Sequence, residues 1–193
     1  MIILNIVEID VDGVLLDVYT PVEEHLRQQG LRFSFEKSVK TWSMKETGNL
    51  RPVLLKLLTD ADTRKYATWY PGAVEFISVL ADKCREQGYK LVLNTHEFNM
   101  PCANVKVEKL KELRALTGAR FETNIQCSYN KEMLDSLICV DDSLENICRS
   151  PSKNPLLFNS FHNTELYNGP RKGFKRVYTY YEIMQELNKV KVG

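Results

Sequence analysis

The chain has almost no net charge. Its 193 residues carry 26 lysines and arginines against 25 acidic residues, a formal +1 at neutral pH. That argues against a nucleic-acid polymer or an anionic membrane surface as partner, and any phosphate specificity has to come from a local site. Long hydrophobic runs are also missing. The first apolar stretch, Ile2 to Val7, is short, follows no basic segment and soon meets Glu8 and Asp10. It is expected to be neither a signal peptide nor a transmembrane span. No C-x-x-C pair occurs. The five cysteines (Cys84, Cys102, Cys127, Cys139 and Cys148) are odd in number and scattered, which argues against a zinc knuckle and for reduced thiols in a cytoplasmic protein. Internal repeats and low-complexity tracts are absent. With 44% hydrophobic and 26% charged residues, the chain has the balance of one globular domain with a substantial core and room for a small appendage.

What the chain does have is a concentrated acidic stretch behind its first apolar run: Glu8-Ile9-Asp10-Val11-Asp12-Gly13-Val14. On an extended backbone, residues two apart point to the same face, so Asp10 and Asp12 project together. Two carboxylates this close repel each other, and a divalent cation is the simplest remedy. The plain alternative is an acidic turn closing a strand.

The rest of the chain alternates. Helices are expected over 21–29, 53–58, 63–68, 73–87, 105–116 and 181–190, the long one from Ala73 being amphipathic and stopped by Gly88. Strands are expected over 2–7, 90–94, 121–127, 137–140 and 155–160. Residues 18–70 form a mainly helical insert without a strand of the main type. Strand and helix in alternation predict an α/β domain with a parallel, Rossmann-like sheet, and ligands in such sheets bind beyond the carboxyl ends of the strands. Three expected strands end in polar clusters: Asp10/Asp12, Thr95/His96 and Asp141/Asp142.

Asp10-x-Asp12-Gly13-Val14, a strand ending in Thr95, Lys131, and Asp141-Asp142 after a strand resemble the four motifs of the haloacid-dehalogenase-like (HAD) phosphatases, in order, over essentially the whole chain. Further stretches are similar to the 5'(3')-deoxyribonucleotidases: Thr41-Trp42-Ser43, Asn49-Leu50-Arg51-Pro52, Tyr70-Pro71-Gly72-Ala73-Val74-Glu75, the interval from Lys131 to Asp141, and Leu157 to Asn163. The resemblance implies a core of residues 1–17 and 71–193 with a small helical cap, 18–70, inserted after the first strand. It implies a Mg²⁺-dependent phosphatase acting on nucleoside monophosphates, and a homodimer is compatible with it.

The residue roles follow. Asp10 is the candidate nucleophile, forming an aspartyl-phosphate. Asp12 is placed to protonate the leaving oxygen and then activate water, and the resemblance adds its main-chain carbonyl as a metal ligand. Asp10, Asp12, Asp142 and Asp141 make up the candidate metal set, with Asp142 favoured as the direct ligand and Asp141 behind it, although the sequence leaves the two interchangeable. Thr95 offers a hydroxyl to phosphate, and Lys131 a point charge; the plain reading of Lys131 is a surface lysine. His96, where the relatives often carry serine, either contacts substrate or caps a turn. Trp42 either stacks on a nucleobase or packs the cap. Thr41 and Ser43 flank it. Thr41 and Val18 stand where an aromatic can occur. Trp69 is expected to pack at the cap hinge, His25 on a helix surface, and the basic run Arg171 to Arg176 in a solvated loop. His162-Asn163 is shared with the family without a mechanistic role. Two other readings keep their place: a phosphatase for a sugar phosphate or a nucleic-acid 3'-phosphate end, and a phosphate-binding regulatory protein without turnover.

Overall fold

The computed structural model describes residues 5–127, 131–163 and 173–190. Ile2, Ile3 and Leu4 of the expected first strand, and Arg171 and Lys172 of the basic run, lie outside them. Strand β1 (Ile6–Ile9) is buried along its whole length. It runs further toward Asp10 than its apolar run suggests, because Glu8 is taken into the sheet with its side chain satisfied. A tight turn leads to the two-residue strand β2 (Leu16–Asp17). The insert then holds α1 (Thr20–Gln28), α2 (Phe35–Ser38), α3 (Arg51–Leu58) and α4 (Ala61–Arg64). The two-residue strand β3 (Thr68–Trp69) returns antiparallel to β2. The ribbon is a sheet of its own, so the insert holds no strand of the main type, as expected; the ribbon itself was not foreseen, since two residues carry no periodicity to read. It ties the two ends of the insert together.

The remaining chain follows with α5 (Ala73–Gln87), β4 (Lys90–His96), α6 (Met100–Thr117), β5 (Glu122–Gln126), β6 (Ile138–Asp141), α7 (Leu144–Arg149), β7 (Asn154–Phe158), β8 (Lys175–Val177) and α8 (Tyr180–Lys189); all but the short α7 and β8 were expected. Helix α5 buries Phe76, Ile77, Leu80, Ala81 and Cys84, one stripe at helical spacing, and ends where Gly88 adopts φ 70°. Helix α6 starts five residues before the expected position. Asn99 caps it, its side chain accepting from the Cys102 amide at 2.9 Å, and Pro101 occupies the first turn, where a missing N–H costs nothing. The expected helix 63–68 is shorter and earlier, because Asp60 caps it at Thr63.

The sheet has six strands among the described residues, in the order β5-β4-β1-β6-β7-β8, and every pair is parallel. The chain builds outward from β1 through β4 to β5, then crosses back to β6 and builds outward the other way. The reversal places a crevice at the carboxyl end of β1, between β4 and β6. One apolar cluster runs from Ile9, Leu93 and Val140 in the sheet to Val22, Leu26, Phe35 and Leu54 in the insert, so the insert shares its core with the sheet. No helix among the described residues is long and apolar enough to cross a membrane. Cys84, Cys102 and Cys139 are buried and Cys127 and Cys148 exposed, all as free thiols.

Candidate active site

The site grows from the end of β1. The Asp10 amide still donates to the Val140 carbonyl at 2.8 Å, so the residue remains in the sheet. The chain then turns sharply, with the Leu15 and Leu16 amides both bonding the Val11 carbonyl. Gly13 makes the turn possible twice over. Its φ is +75°, and a Cβ there would lie 1.8 Å from Asp142 Oδ2. The glycine therefore opens the space that the Asp142 carboxylate fills.

Lys131 reaches into this corner. Its Nζ lies 2.7 Å from Asp10 Oδ1 and 2.7 Å from Asp141 Oδ2. Burial raises the Asp10 carboxyl to about 7 against the pull of Lys131, with the charges of Asp141 and Asp12 adding to the rise. Asp142 is pushed well above the carboxylate range by burial and then by Asp10 and Asp141. Asp141 has both oxygens engaged, one by the Ser143 amide at 2.8 Å and the other by Lys131, with Asn146 at 3.2 Å from each. Asp142 Oδ2 and the Thr95 hydroxyl are buried with no hydrogen-bond partner among the described residues.

The loop carrying Asp142 is clamped by His162 and Asn163. Asn163 Nδ2 donates to the Asp142 carbonyl at 2.7 Å, and His162 Nε2 lies 3.2 Å from the same oxygen. A carbonyl only accepts, so His162 carries its proton on Nε2, and Nδ1 takes the Ser160 hydroxyl at 3.0 Å. Burial lowers the ring to about 4, so it is neutral. Asn163 is in turn fixed by Arg176, whose NH1 meets Asn163 Oδ1 at 2.7 Å and whose NH2 meets the Asn163 carbonyl at 2.7 Å. This corrects the reading of Arg171 to Arg176 as a solvated loop. Lys175 and Arg176 lie in β8, and the arginine's fork is needed to orient the asparagine.

Asp12 has company that its local sequence does not announce. Arg64, from α4 of the insert, places NH2 2.5 Å from Asp12 Oδ2 and 2.6 Å from Glu97 Oε1. Lys106, from α6, pairs with Asp12 Oδ1 and lies 3.2 Å from Glu97 Oε1. Arg64, Lys106 and Glu97 are all buried. Burial alone would raise the Asp12 carboxyl; the Arg64 and Lys106 charges overcome it and hold the group below its ordinary range.

A cavity of about 320 Å³ opens over these groups. Its walls include Asp10, Asp12, Thr95, His96 and Asp142 at the strand ends, Lys131 from the loop before β6, and Val18, Trp42, Ser43, Met44 and Arg64 from the insert side. Trp42 is 44% exposed, and its ring lies 4.9 Å from that of His162. Thr41 does not line the cavity; its hydroxyl lies 2.9 Å from Ser43 Oγ and 3.0 Å from Glu46 Oε2. Met44 holds φ 52°, the one non-glycine with positive φ among the described residues. Trp69 joins the ribbon and donates to Glu112 at 3.2 Å. His25 pairs with Gln29 on α1 at 2.9 Å.

The donor set suits a hard divalent cation. Asp10, Asp141 and Asp142 bring one oxygen each within 4.8 Å of one another, all three are buried, and the free oxygen belongs to Asp142. Three neighbouring carboxylates with one lysine between them leave negative charge uncompensated, which Mg²⁺ would balance.

Comparison with known proteins places this architecture. No protein-family model and no curated protein matches the chain. Among solved structures it is similar to D,D-heptose 1,7-bisphosphate phosphatase from Burkholderia thailandensis, with a TM-score of 0.54 and 16% identity over 96% of this chain and 99% of that one. It is also similar to a dehalogenase, with a TM-score of 0.57 and 14% identity over 98% of this chain and all of that one. The fold is the haloacid-dehalogenase fold. Within this fold, Asp10, Asp12, Thr95, His96, Lys131, Asp141 and Asp142 converge on the carboxyl ends of β1, β4 and β6 with the loop before β6, and Trp42 and Ser43 face them from the insert. Arg64, Lys106 and Glu97 escaped sequence reasoning. Glu97, directly after the Thr95-His96 cluster, was the one local signal.

Proposed function

We propose that the protein is a Mg²⁺-dependent phosphomonoesterase acting on (deoxy)nucleoside monophosphates through an aspartyl-phosphate. The observation that supports this reading is the pair of unpartnered buried oxygens, Thr95 Oγ1 and Asp142 Oδ2, beside Asp10 and Lys131 in one cavity. A phosphoryl group and a cation are what such a corner lacks. The Asp10 carboxylate attacks phosphorus as the ester P–O bond breaks, and Asp12 gives a proton to the departing oxygen. Water then loses a proton to Asp12 and attacks the phosphoaspartate, freeing orthophosphate and Asp10. Lys131 and the Thr95 hydroxyl hold the phosphoryl oxygens. Asp10 and Asp142 would hold Mg²⁺, with Asp141 kept behind them by Lys131 and Asn146. Bound there, the metal neutralises phosphoryl charge. The cations on Asp12 favour its ionised form, which suits the second step and opposes the first, for which the carboxyl has to take up a proton. Cytoplasmic location belongs to the same proposal.

Phosphate release measured over nucleoside monophosphates and sugar phosphates, with Mg²⁺ and with excess chelator, tests it. A nucleoside monophosphate should be the best substrate, and chelator should silence it. Full activity in chelator rejects the metal, and release from no phosphomonoester rejects the enzyme. The substrate named for the Burkholderia neighbour makes sugar phosphates the second class to screen.

Trp42 supports the nucleotide over the sugar, since an exposed indole in the cavity wall offers a stacking face. Trp42→Ala should lower kcat/KM for a nucleoside monophosphate by the equivalent of about 1–3 kcal/mol. It should cost p-nitrophenyl phosphate less, because that substrate depends less on the insert. Equal losses on both substrates with a lower Tm mean that Trp42 serves only to pack His162.

A further inference from the structure

Glu8 has no exposed surface, and the reaction does not use it. It precedes Asp10 by two residues on β1, on the same face of the strand. Its neighbourhood concerns Lys131. Residues 131–136 have no helix or strand to hold them, yet the Lys131 ammonium has to meet two carboxylates at 2.7 Å. The Ser136 carbonyl takes the Lys153 amide at 3.0 Å and the Ser152 hydroxyl at 3.1 Å; side chains from the sheet hold the rest. Gln126 accepts from the Glu132 amide at 2.6 Å and donates to the Glu132 carbonyl at 2.9 Å. Asn94 Nδ2 donates to that carbonyl at 3.0 Å and also to Glu8 Oε1. Glu8 Oε2 accepts from the Leu134 amide at 3.3 Å and the Ser136 hydroxyl at 3.3 Å. Every group facing the Glu8 carboxylate in this network is a donor. The same carboxylate thus touches the lysine-bearing segment at two points and, through Asn94, at a third.

We propose that Glu8 is a positioning residue that acts through Lys131: by anchoring residues 132–136 it fixes the ammonium between Asp10 and Asp141. As a statement about catalysis it rests on the phosphomonoesterase reading. The geometric part stands without it, and the test separates the two.

The experiment compares wild type, Glu8→Ala and Glu8→Gln, each alone and with Lys131→Met. Glu8→Gln keeps the shape and one acceptor, and serves if the alanine variant folds poorly. On p-nitrophenyl phosphate with Mg²⁺, Glu8→Ala should lower kcat about tenfold or more with little change in KM, with Glu8→Gln between it and wild type. In the Lys131→Met background the same change should cost less than about twofold, since residues acting as a unit do not add. The second readout needs no activity. Competitive lysine acetylation, read by mass spectrometry, should rise at Lys131 in Glu8→Ala and stay unchanged at Lys106, the other lysine buried among the described residues. Unchanged labelling at Lys131, or a rise at both lysines together, overturns the proposal, as does an equal loss of kcat in both backgrounds. If wild-type protein hydrolyses no phosphomonoester, the phosphatase reading is what fails, and the labelling still decides whether Glu8 positions Lys131.

Discussion

Asp10→Asn is expected to abolish turnover and leave the fold intact. The amide matches the carboxylate in shape and retains an oxygen for Lys131, which sits 2.7 Å away, but it is no anionic nucleophile. The loss in kcat should be at least about 10³-fold, and a residual activity above about a hundredth of wild type removes Asp10 from that role. Stability should move the other way. The folded Asp10 carboxyl titrates at about 7, above its ordinary value. Between the unfolded and folded values the native state binds the extra proton, so its stability falls as pH rises from about 4 to 7. Asparagine removes that decline. In metal-free protein, the Asp10→Asn variant should therefore melt at or above wild type at pH 7, and the difference should shrink at pH 4. A variant that melts well below wild type at pH 7 means that Asp10 is held in place for structure, and its inactivity then says little about chemistry.

The parts of this site that could be read in the sequence are those that lie at strand ends. Asp10, Thr95 and Asp141 each follow an apolar run, and a parallel sheet brings such ends together whatever the rest of the chain does. Gly13 was visible as the residue after Asp12 in the acidic stretch. Its part in leaving room for Asp142 Oδ2 depends on a residue far along the chain and has no local trace. Arg64 and Lys106 were illegible for a related reason. Each sits on a short or charged helix where a cation reads as solvent-facing, and only the docking of the insert onto α6 turns them toward Asp12. Arg176 is the same case in miniature. Its basic neighbours suggested a solvated loop, but three residues of edge strand bring its fork onto Asn159 and Asn163. The ribbon β2–β3 was lost because pairing two residues with two leaves no pattern in either segment.

Arg64→Met is expected to be the most destabilising single change at the site. Arg64 and Lys106 face Asp12 and Glu97, two cations against two carboxylates, with Arg64 5% exposed and Glu97 fully buried. Methionine fills much of the space and removes the charge, leaving one lysine for two buried carboxylates. Breaking a buried network in this way costs roughly 3–5 kcal/mol. It also cuts the one cation that reaches Asp12 from the insert, so kcat should fall with stability. The pH dependence separates charge from packing. The folded Asp12 carboxyl lies below its ordinary range because Arg64 and Lys106 outweigh burial. A depressed value stabilises the fold above the unfolded value, about 4, and that contribution is lost as pH falls through the folded value. Without Arg64, burial opposed by Lys106 alone moves the carboxyl upward, and the contribution shrinks. The deficit of Arg64→Met should accordingly be greatest at pH 7 and narrow as both proteins are acidified, and Arg64→Lys should recover part of it at pH 7. Denaturant melts of metal-free protein at pH 7 and at a pH well below 4 measure this. A deficit that is the same at both values would mean that Arg64 contributes contact area and not charge, and the ion network over Asp12 would then have no part in holding the insert against the carboxyl edge of the sheet.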